Sequence, residues 1–419
     1  MKVTFQEALR VWARIGCLSF GGPAGQIALM HREIVEDRQW LSEKEYLSAL
    51  NFCMLLPGPE AMQLATYAGW KLHGVKGGLA AGLLFVLPGA IIVLALTMLY
   101  ASFGKLPLID AIFYGIKAAV LAIVLEALLR VARRALKTNA DWVIAALAFL
   151  ALFCFAVPFP LIIIAAAVYG FIRATGERQE HTGQLPSFTA LGKTVGIWAA
   201  IWLIPLAALA IFLGPNHVLT EIGVFFSKLA VVTFGGAYAV LAYMAQAAVE
   251  QEGWLTAPEM IDGLALAETT PGPLILVTQF VGYFAALRET GSIWGGIAGA
   301  VVTLWMTFAP CFLWIFAGAP YIEAIGKRPR LSGALAAITA AVVGVILNLS
   351  VWFGLHVLFG KVERLEGWFQ PWIPDWAGLD WFALGLSLVA AVALLRFHLG
   401  VIRTLILCAA LGTAWRLFT

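Results

Sequence analysis

Residues 18–26 read LSFGGPAGQ and residues 55–60 read LLPGPE, and both patterns recur as VTFGGAYAV at 232–240 and TTPGPL at 269–274. The spacing is the same for both pairs, because 235 − 21 = 214 and 271 − 57 = 214. A constant offset between two distant parts of a chain is typical of an internal repeat. These stretches therefore predict a duplicated architecture.

Other positions keep the same register. Trp40-Leu41-Ser42 recurs as Trp254-Leu255-Thr256. Charged positions also match, and the pairs are Glu7 with Glu221, Arg14 with Lys228, Glu36 with Glu250, and Glu45 with Glu259. The register holds without a gap from residue 7 through residue 59, and we interpret the chain as a duplication.

The composition places this duplication in a membrane. Of the 419 residues, 62% are hydrophobic and 12% are charged, and the mean hydropathy is +0.90. Soluble domains are about 45–50% apolar and about 25% charged, so a soluble globular protein is excluded. The formal net charge of +3 is too small to indicate a nucleic-acid partner.

A pass with a window of about 19 residues finds nine apolar stretches. They lie at 77–103, 108–129, 140–156, 158–172, 190–213, 292–318, 332–355, 379–395 and 399–416. Clusters of Lys and Arg fall at alternate ends of these stretches, which predicts cytoplasmic loops there. The sequence therefore predicts a multi-pass protein of the plasma (inner) membrane.

The stretch 190–213 has no counterpart in the first half. One extra crossing between two repeats that each cross an even number of times forces the second repeat to insert upside down. We therefore predict an all-α polytopic membrane protein with two inverted-topology repeats, the architecture of many secondary transporters. The predicted domains are a first repeat at 1–173, a linker with a transmembrane helix at 174–217, and a second repeat at 218–419.

Two other segments have distinct compositions. The polar stretch 174–189 resembles a disordered linker, whereas 356–378, rich in Trp and Pro, predicts a hairpin at the headgroup level. The five Cys and six His residues show no disulfide or metal-ligand spacing. We expect no cofactor, no metal and no enzymatic activity.

The FGG and PGP motifs predict breaks in membrane-embedded helices, because Gly lacks helical preference and Pro blocks continuation of a helix. Pro23 and Pro59 each suit the first turn of a new helix, whose free N–H groups and positive dipole end bind anions. The alternative is that GGP and PGP are tight surface turns between complete short spans. Whether the hairpins span the membrane or re-enter it stays open.

A cation precedes the FGG motif in each half. Arg14 and Lys228 each lie seven residues before the first Gly of that motif, about 10 Å along a helix. A cation inside a membrane segment usually marks a substrate pathway or a buried pair. We favour an anion-binding role; the alternative is neutralisation by Glu7 and Glu221, also two turns away.

These motifs and the polar side chains near them define a candidate substrate-binding set. It comprises Arg14, Ser19, Gly21, Gly22, Pro23, Pro57, Gly58, Pro59, Gln63, Lys228, Thr233, Gly235, Gly236, Thr270, Pro271, Gly272 and Pro273. Four charged residues within or beside apolar stretches are candidates for coupling, namely Glu60, Lys117, Glu126 and Glu268. A structural ion pair is the alternative for Lys117 and Glu126.

Through FGGPAGQ, WLSEKEY and LLPGPEAMQLATYAGW, and through TFGGAYAVL, WLTAPEM and TTPGPLILVTQFVGYFAA, the sequence resembles the chromate ion transporter family in its long, two-domain form. This resemblance covers essentially the whole chain. It implies a secondary transporter that exports chromate by alternating access, driven by membrane potential, by exchange, or by both, and that confers chromate resistance. Gly235-Gly236 is followed by Ala237 and Tyr238, without the Pro found at position 23, so the two breaks are expected to be unequal.

Other functions stay open at this point. The residues indicate an anion transporter but do not separate chromate from sulfate, a competitor of similar shape. A passive anion channel would share the helix-start site, and sulfate uptake would differ only in direction and preference. A membrane enzyme acting on lipid or isoprenoid phosphates would need His, Asp or paired carboxylates clustered at one membrane face, and the sequence has none. The bilayer is an obligatory partner, and a homodimer is compatible with the pattern.

Overall fold

The computed structural model describes residues 3–20, 22–104, 106–174, 187–232, 234, 237–322 and 329–418, and for residues 237–239 and 242 it describes the backbone only. Helices dominate this part of the chain. Those of the first half are α1 (Phe5–Leu18), α2 (Gly22–His31), α3 (Glu43–Cys53), α4 (Glu60–Phe103), α5 (Pro107–Ala135), α6 (Asn139–Phe155) and α7 (Phe159–Arg173).

The later helices begin with α8 (Phe188–Phe212), which lies in the predicted linker between the repeats. The others are α9 (Val218–Val232), α10 (Ala237–Gln246), α11 (Ala257–Thr269), α12 (Val277–Thr290), α13 (Ile293–Gly318), α14 (Pro329–Leu358), α15 (Trp381–Leu395) and α16 (Val401–Phe418). Short π-helical turns follow α2 at Arg32–Glu36 and α10 at Ala247–Gln251, and the pair Glu36 and Glu250 of the repeat lies in them.

The predicted apolar stretches all coincide with helices. Six helices in the described residues are long and apolar enough to cross a membrane, and α6, α7 and α15 are shorter apolar helices. The predicted start at 108 corresponds to Pro107 and the predicted end at 213 to Phe212. The predicted all-α polytopic membrane protein is therefore confirmed.

The chain breaks its helices at each of the predicted motifs. Gaps separate α1 from α2, α3 from α4, α9 from α10, and α11 from α12. A further break lies inside α4, where His73 and Gly74 leave helical geometry and Gly74 has φ +62°. This turn folds residues 60–73 back on the apolar span that follows.

Small residues permit this tight fold-back. A Cβ at Gly69 would meet the backbone of Gly77, and a Cβ at Gly82 would lie 2.5 Å from Thr66 Oγ1. The second half repeats the arrangement, because Gly291 (φ +62°) joins α12 to α13 and Gly282 lies against Gly299. Each half thus contains a short helix packed antiparallel on a long apolar helix.

The contacts divide the chain into two compact units built from interleaved segments. The first unit comprises Met1–Thr97, Gly176–Ala237 and Thr270–Leu331, and the second comprises Met98–Thr175, Tyr238–Thr269 and Ser332–Thr419. Trp12 and Phe226 are fully buried in the first unit, and Phe159 and Phe353 in the second. Each unit therefore takes segments from both predicted repeats.

The Trp-rich segment after α14 forms a small antiparallel hairpin. Strand β1 (Val362–Arg364) pairs with β2 (Trp372–Pro374). Arg364 extends from β1 to form an ion pair with Glu250 at 2.5 Å, which fastens the hairpin within the second unit. The predicted polar linker at 174–189 lies outside the described residues from 175 to 186.

Candidate oxyanion site at the helix breaks

The first FGG break and the second PGP break meet in the first unit. The backbone N–H of Gly272 donates to the carbonyl oxygen of Ser19 at 2.9 Å. The Nε2 of Gln26, a buried side chain on α2, donates to the carbonyls of Gly272 at 2.5 Å and Ser19 at 3.3 Å. Because burial makes an unpaired backbone group costly, these bonds hold two repeat motifs together.

The same PGP break packs against the first long apolar helix. A Cβ at Gly89, which follows Pro88 in α4, would collide with the carbonyl oxygen of Pro271. Gly272 has φ +96°, in the left-handed region that favours glycine. Glycine is therefore required on both sides of this contact.

The first PGP break makes the reciprocal contact. Gly58 has φ +119°, and a Cβ there would lie 2.9 Å from Cys311 Sγ. Cys311 follows Pro310 in α13, just as Gly89 follows Pro88 in α4. Each PGP break thus contacts the residue after the proline in the long helix of the other half.

Gln63 organises the first PGP break. Its Nε2 donates to the carbonyl of Pro57 at 2.6 Å, while its Oε1 is buried without a hydrogen-bond partner. This leaves one acceptor position of a fully buried amide unused at the break. A polar atom of this kind next to broken backbone is a feature of ligand sites.

The two PGP breaks start their following helices differently. After Pro59, α4 begins directly at Glu60. After Pro273 a 3₁₀ turn, Leu274–Leu276, comes first, and its Leu276 N–H donates back to Pro273 at 2.9 Å. The first break therefore presents an α-helix start, whereas the second uses one of its early N–H groups within the turn.

The remaining break residues are partly placed. Gly22 opens α2 with φ +68°, and Pro23 follows in the first turn as predicted for a helix start. Ser19 is buried, and its hydroxyl donates to the carbonyl of Ile15 at 2.6 Å. Thr270 is buried as well. Four predicted site residues, Gly21, Thr233, Gly235 and Gly236, lie outside the described residues.

Arg14 is partnered by a carboxylate that sequence reasoning missed. Its Nε lies 3.5 Å from Glu33 Oε1, and Arg38 Nη1 lies 2.6 Å from the other oxygen of Glu33. Glu33 is buried, whereas the Arg14 side chain is 59% exposed. Glu33 lies in the π-helical turn Arg32–Glu36 after α2, and its repeat counterpart is the uncharged Ala247, so the comparison of the repeats gave no signal for it. Lys228, the counterpart of Arg14, is exposed on α9.

Two of the four coupling candidates, Glu126 and Lys117, form ion pairs. Glu126 pairs with Arg130 one helical turn later at 2.5 Å. Lys117 pairs with Asp262 at 3.1 Å. Glu60 is half-buried at the start of α4, and Glu268 is buried near the end of α11. Asp262 was not among the predicted coupling residues. Its repeat counterpart is the uncharged Ser48, so the comparison of the repeats did not indicate it.

Polar side chains pack together in the connection between α2 and α3. The His31 ring lies 2.7 Å from Glu43 and 3.0 Å from Glu36, and these carboxylates raise the pKa of His31 above its ordinary value. Glu45 accepts from Ser42 at the start of α3, and these hydrogen bonds lower the pKa of that carboxyl. Within the described residues, no group of three or more His, Cys, Asp or Glu side chains could hold a metal ion.

These features define a class of protein: a polytopic helical membrane protein with helices broken at repeated Gly and Pro motifs, as in secondary transporters. The chromate transporter family profile matches residues 6–171 and 220–413, leaving α8 between the two ranges. The chain belongs to the chromate transporter family.

Relatives named as chromate transport proteins agree with this assignment. The chain is 31% identical to a probable chromate transport protein of Synechococcus elongatus, over 87% of this chain and 90% of the relative. It is 32% identical to a chromate transport protein of Cupriavidus metallidurans over 82% and 81%. It is 33% identical to one of Pseudomonas aeruginosa over 82% and 80%. No solved structure matches the chain.

Proposed function

We propose that this chain is a secondary transporter, not an enzyme, that exports chromate across the plasma membrane. The observation that carries the proposal is membership of the chromate transporter family over both halves of the chain. Relatives named as chromate transport proteins cover four-fifths or more of its length. A tetrahedral dianion suits helix starts and cations near broken backbone, because both favour negative charge.

The transport cycle in this proposal is alternating access of two inverted repeats. Its support is the reciprocal pair of contacts in the first unit, Gly58 against Cys311 and Gly272 against Gly89. A pseudo-two-fold relation between repeats produces such exchanged contacts, and transporters of this architecture bind substrate where the repeats meet. The proposed substrate groups are Arg14, Lys228 and the backbone at the breaks.

The driving force in this proposal is the inside-negative membrane potential. Moving one elementary charge across 100 mV is worth about 2.3 kcal/mol, so a dianion moving outward gains about 4.6 kcal/mol. Export therefore needs no ATP and no obligatory exchange partner. Sulfate, a dianion of similar shape, is the competitor that the same site would accept.

Uptake of labelled chromate into inside-out vesicles under an imposed potential tests the proposal. We expect saturable accumulation that sulfate reduces, and that Arg14→Gln and Lys228→Gln each lower at equal protein content. The matched control is Arg416→Gln, which removes a cation from the last turn of α16, outside the proposed substrate groups. Full activity of both site variants would reduce these cations to structural roles, and no chromate accumulation by folded wild-type protein would refute chromate transport.

A further inference from the structure

A buried carboxylate, an ammonium and a phenol meet in the second unit. Asp262 on α11 lies 3.1 Å from Lys117 Nζ on α5, and its other oxygen accepts from the Tyr100 hydroxyl at 2.6 Å. The Asp262 side chain is 6% exposed and that of Lys117 is 18% exposed. These three residues are called the Asp262 cluster below.

The Asp262 cluster lies deep along a membrane-crossing helix. Lys117 is ten residues from the start of α5 at Pro107 and eighteen from its end at Ala135, or about 15 Å and about 27 Å along the axis. Ionisable side chains at such depth are costly and generally serve ion pathways or proton relays. A purely structural function could be met by apolar packing, which is often equally stable.

The charge of the cluster depends on one proton. With Asp262 ionised and Lys117 protonated the net charge is zero, and a proton on Asp262 makes it +1. Tyr100 donates to the ionised carboxylate and can accept from the protonated one, so both states keep a hydrogen bond. Asp110 on α5 and Glu259 on α11 are the further carboxylates that interact with the cluster.

We infer that the Asp262 cluster is a proton-binding site linked to oxyanion transport. This inference rests on the proposed function. The +1 state favours an anion inside the membrane, so proton binding and chromate binding strengthen each other, and the linkage is reciprocal. The proton comes from water and is bound by an Asp262 oxygen, while Lys117 keeps its own proton. Apparent chromate affinity therefore rises as pH falls.

The test measures the KM for chromate at several pH values in proteoliposomes held at a fixed potential. In wild type we expect KM to fall at least about threefold from pH 8.5 to pH 6.0, and at most about tenfold per pH unit, the limit for one proton. Asp262→Asn, which keeps Lys117 charged, should hold KM low at every pH. The double variant Lys117→Gln/Asp262→Asn leaves no unpaired buried charge and should hold KM at the high-pH value.

Asp110→Asn is the matched control, because Asp110 is exposed in the first turn of α5 and interacts with the cluster only through space. It removes one nearby negative charge but leaves the cluster intact, so its KM should still fall as pH falls, which Asp262→Asn abolishes. Protonation of chromate itself affects both proteins equally. It therefore cancels when the KM values of wild type and Asp262→Asn are compared at each pH. If Asp262→Asn keeps the full wild-type pH dependence, the inference is overturned.

Infrared spectroscopy separates this inference from the proposed function. If wild-type protein transports no chromate, the proposed function fails. The proton site is then tested by infrared spectroscopy of the protein without chromate. A protonated-carboxyl stretching band that titrates in wild type and is absent from Asp262→Asn would support the site. Absence of that band throughout the pH range over which the protein stays folded would overturn it.

Discussion

The backbone N–H of Gly272 donates a 2.9 Å hydrogen bond to the carbonyl oxygen of Ser19. These residues belong to different motifs from different halves of the chain, 253 positions apart. Gln26 reinforces the bond by donating to both carbonyls. In this conformation the Gly272 N–H, one of the predicted oxyanion donors, serves to join the two breaks. A conformational cycle that frees it would expose donors from both halves together.

Replacing Gly89 should weaken this junction. Gly89→Ala places a methyl group against the Pro271 carbonyl, and overpacking of this kind costs about 1–3 kcal/mol. Thermal unfolding of detergent-purified protein should show a clear drop in Tm. The control is Gly196→Ala on α8, where the added Cβ has open space and removal of a helical glycine is neutral or stabilising. Equal Tm values for the two variants would contradict the close contact.

Gln26 should matter more to stability than Ser19. Gln26→Leu removes the amide that serves two buried carbonyls, and leaving a buried acceptor short of a partner costs about 1–3 kcal/mol. Ser19→Ala removes a hydroxyl that bonds only to Ile15 of its own helix, so we expect a loss below about 1 kcal/mol. Denaturant unfolding measures the loss of unfolding free energy in each variant. A larger loss for Ser19→Ala than for Gln26→Leu would argue against the role given to Gln26.

Arg14 and Arg38 should differ in what they stabilise. Arg38 forms the shorter ion pair with buried Glu33 and is less exposed, so Arg38→Gln should lower Tm markedly because it weakens a buried pair. Arg14→Gln breaks a 3.5 Å pair of a mostly exposed side chain, worth less than about 1 kcal/mol. If Arg14 binds substrate, its variant should lose transport while keeping near-normal Tm. A large Tm loss with unchanged transport per folded molecule would make Arg14 structural.

The ion pairs of His31 with Glu36 and Glu43 should make the stability of the protein depend on pH. Glu43 and Glu36 raise the folded-state pKa of His31 above its ordinary value of 6.5. The stabilisation is therefore fully present below pH 6.5 and is lost as pH rises through the folded-state pKa. The Tm difference between wild type and His31→Gln should be largest near pH 5.5 and shrink by pH 8.5. A Tm difference that grows as pH rises would contradict this prediction. The Tm difference between wild type and Glu43→Gln should also be largest near pH 5.5 and shrink by pH 8.5.

Most of the fold could be predicted because membrane helices carry strong local signals. Long apolar runs located α8 and α13 to within two residues at each end, and Gly and Pro located the helix breaks. The predicted span at 77–103 begins just after the break at His73 and Gly74. That residues 60–73 pack back on this span was not predicted, because such packing depends on tertiary contacts.

The candidate site was predicted only as a set of motifs. Comparison of the repeats identified Ser19 and Gly272 separately but could not show that they bond, because such contacts depend on tertiary packing. The same comparison passed over Glu33 and Asp262, whose counterparts Ala247 and Ser48 are uncharged. Matching positions reveal what the halves share, and these two buried carboxylates lie where the halves differ.

The proposed activity of this chain is outward movement of chromate under the membrane potential. Purified protein in liposomes loaded with labelled chromate tests it directly, with a potassium gradient and valinomycin setting the potential. We predict efflux that accelerates when the interior is made negative, slows when the potential is reversed, and falls when sulfate is added with chromate inside. Efflux equal to that of protein-free liposomes at either potential would contradict the claim.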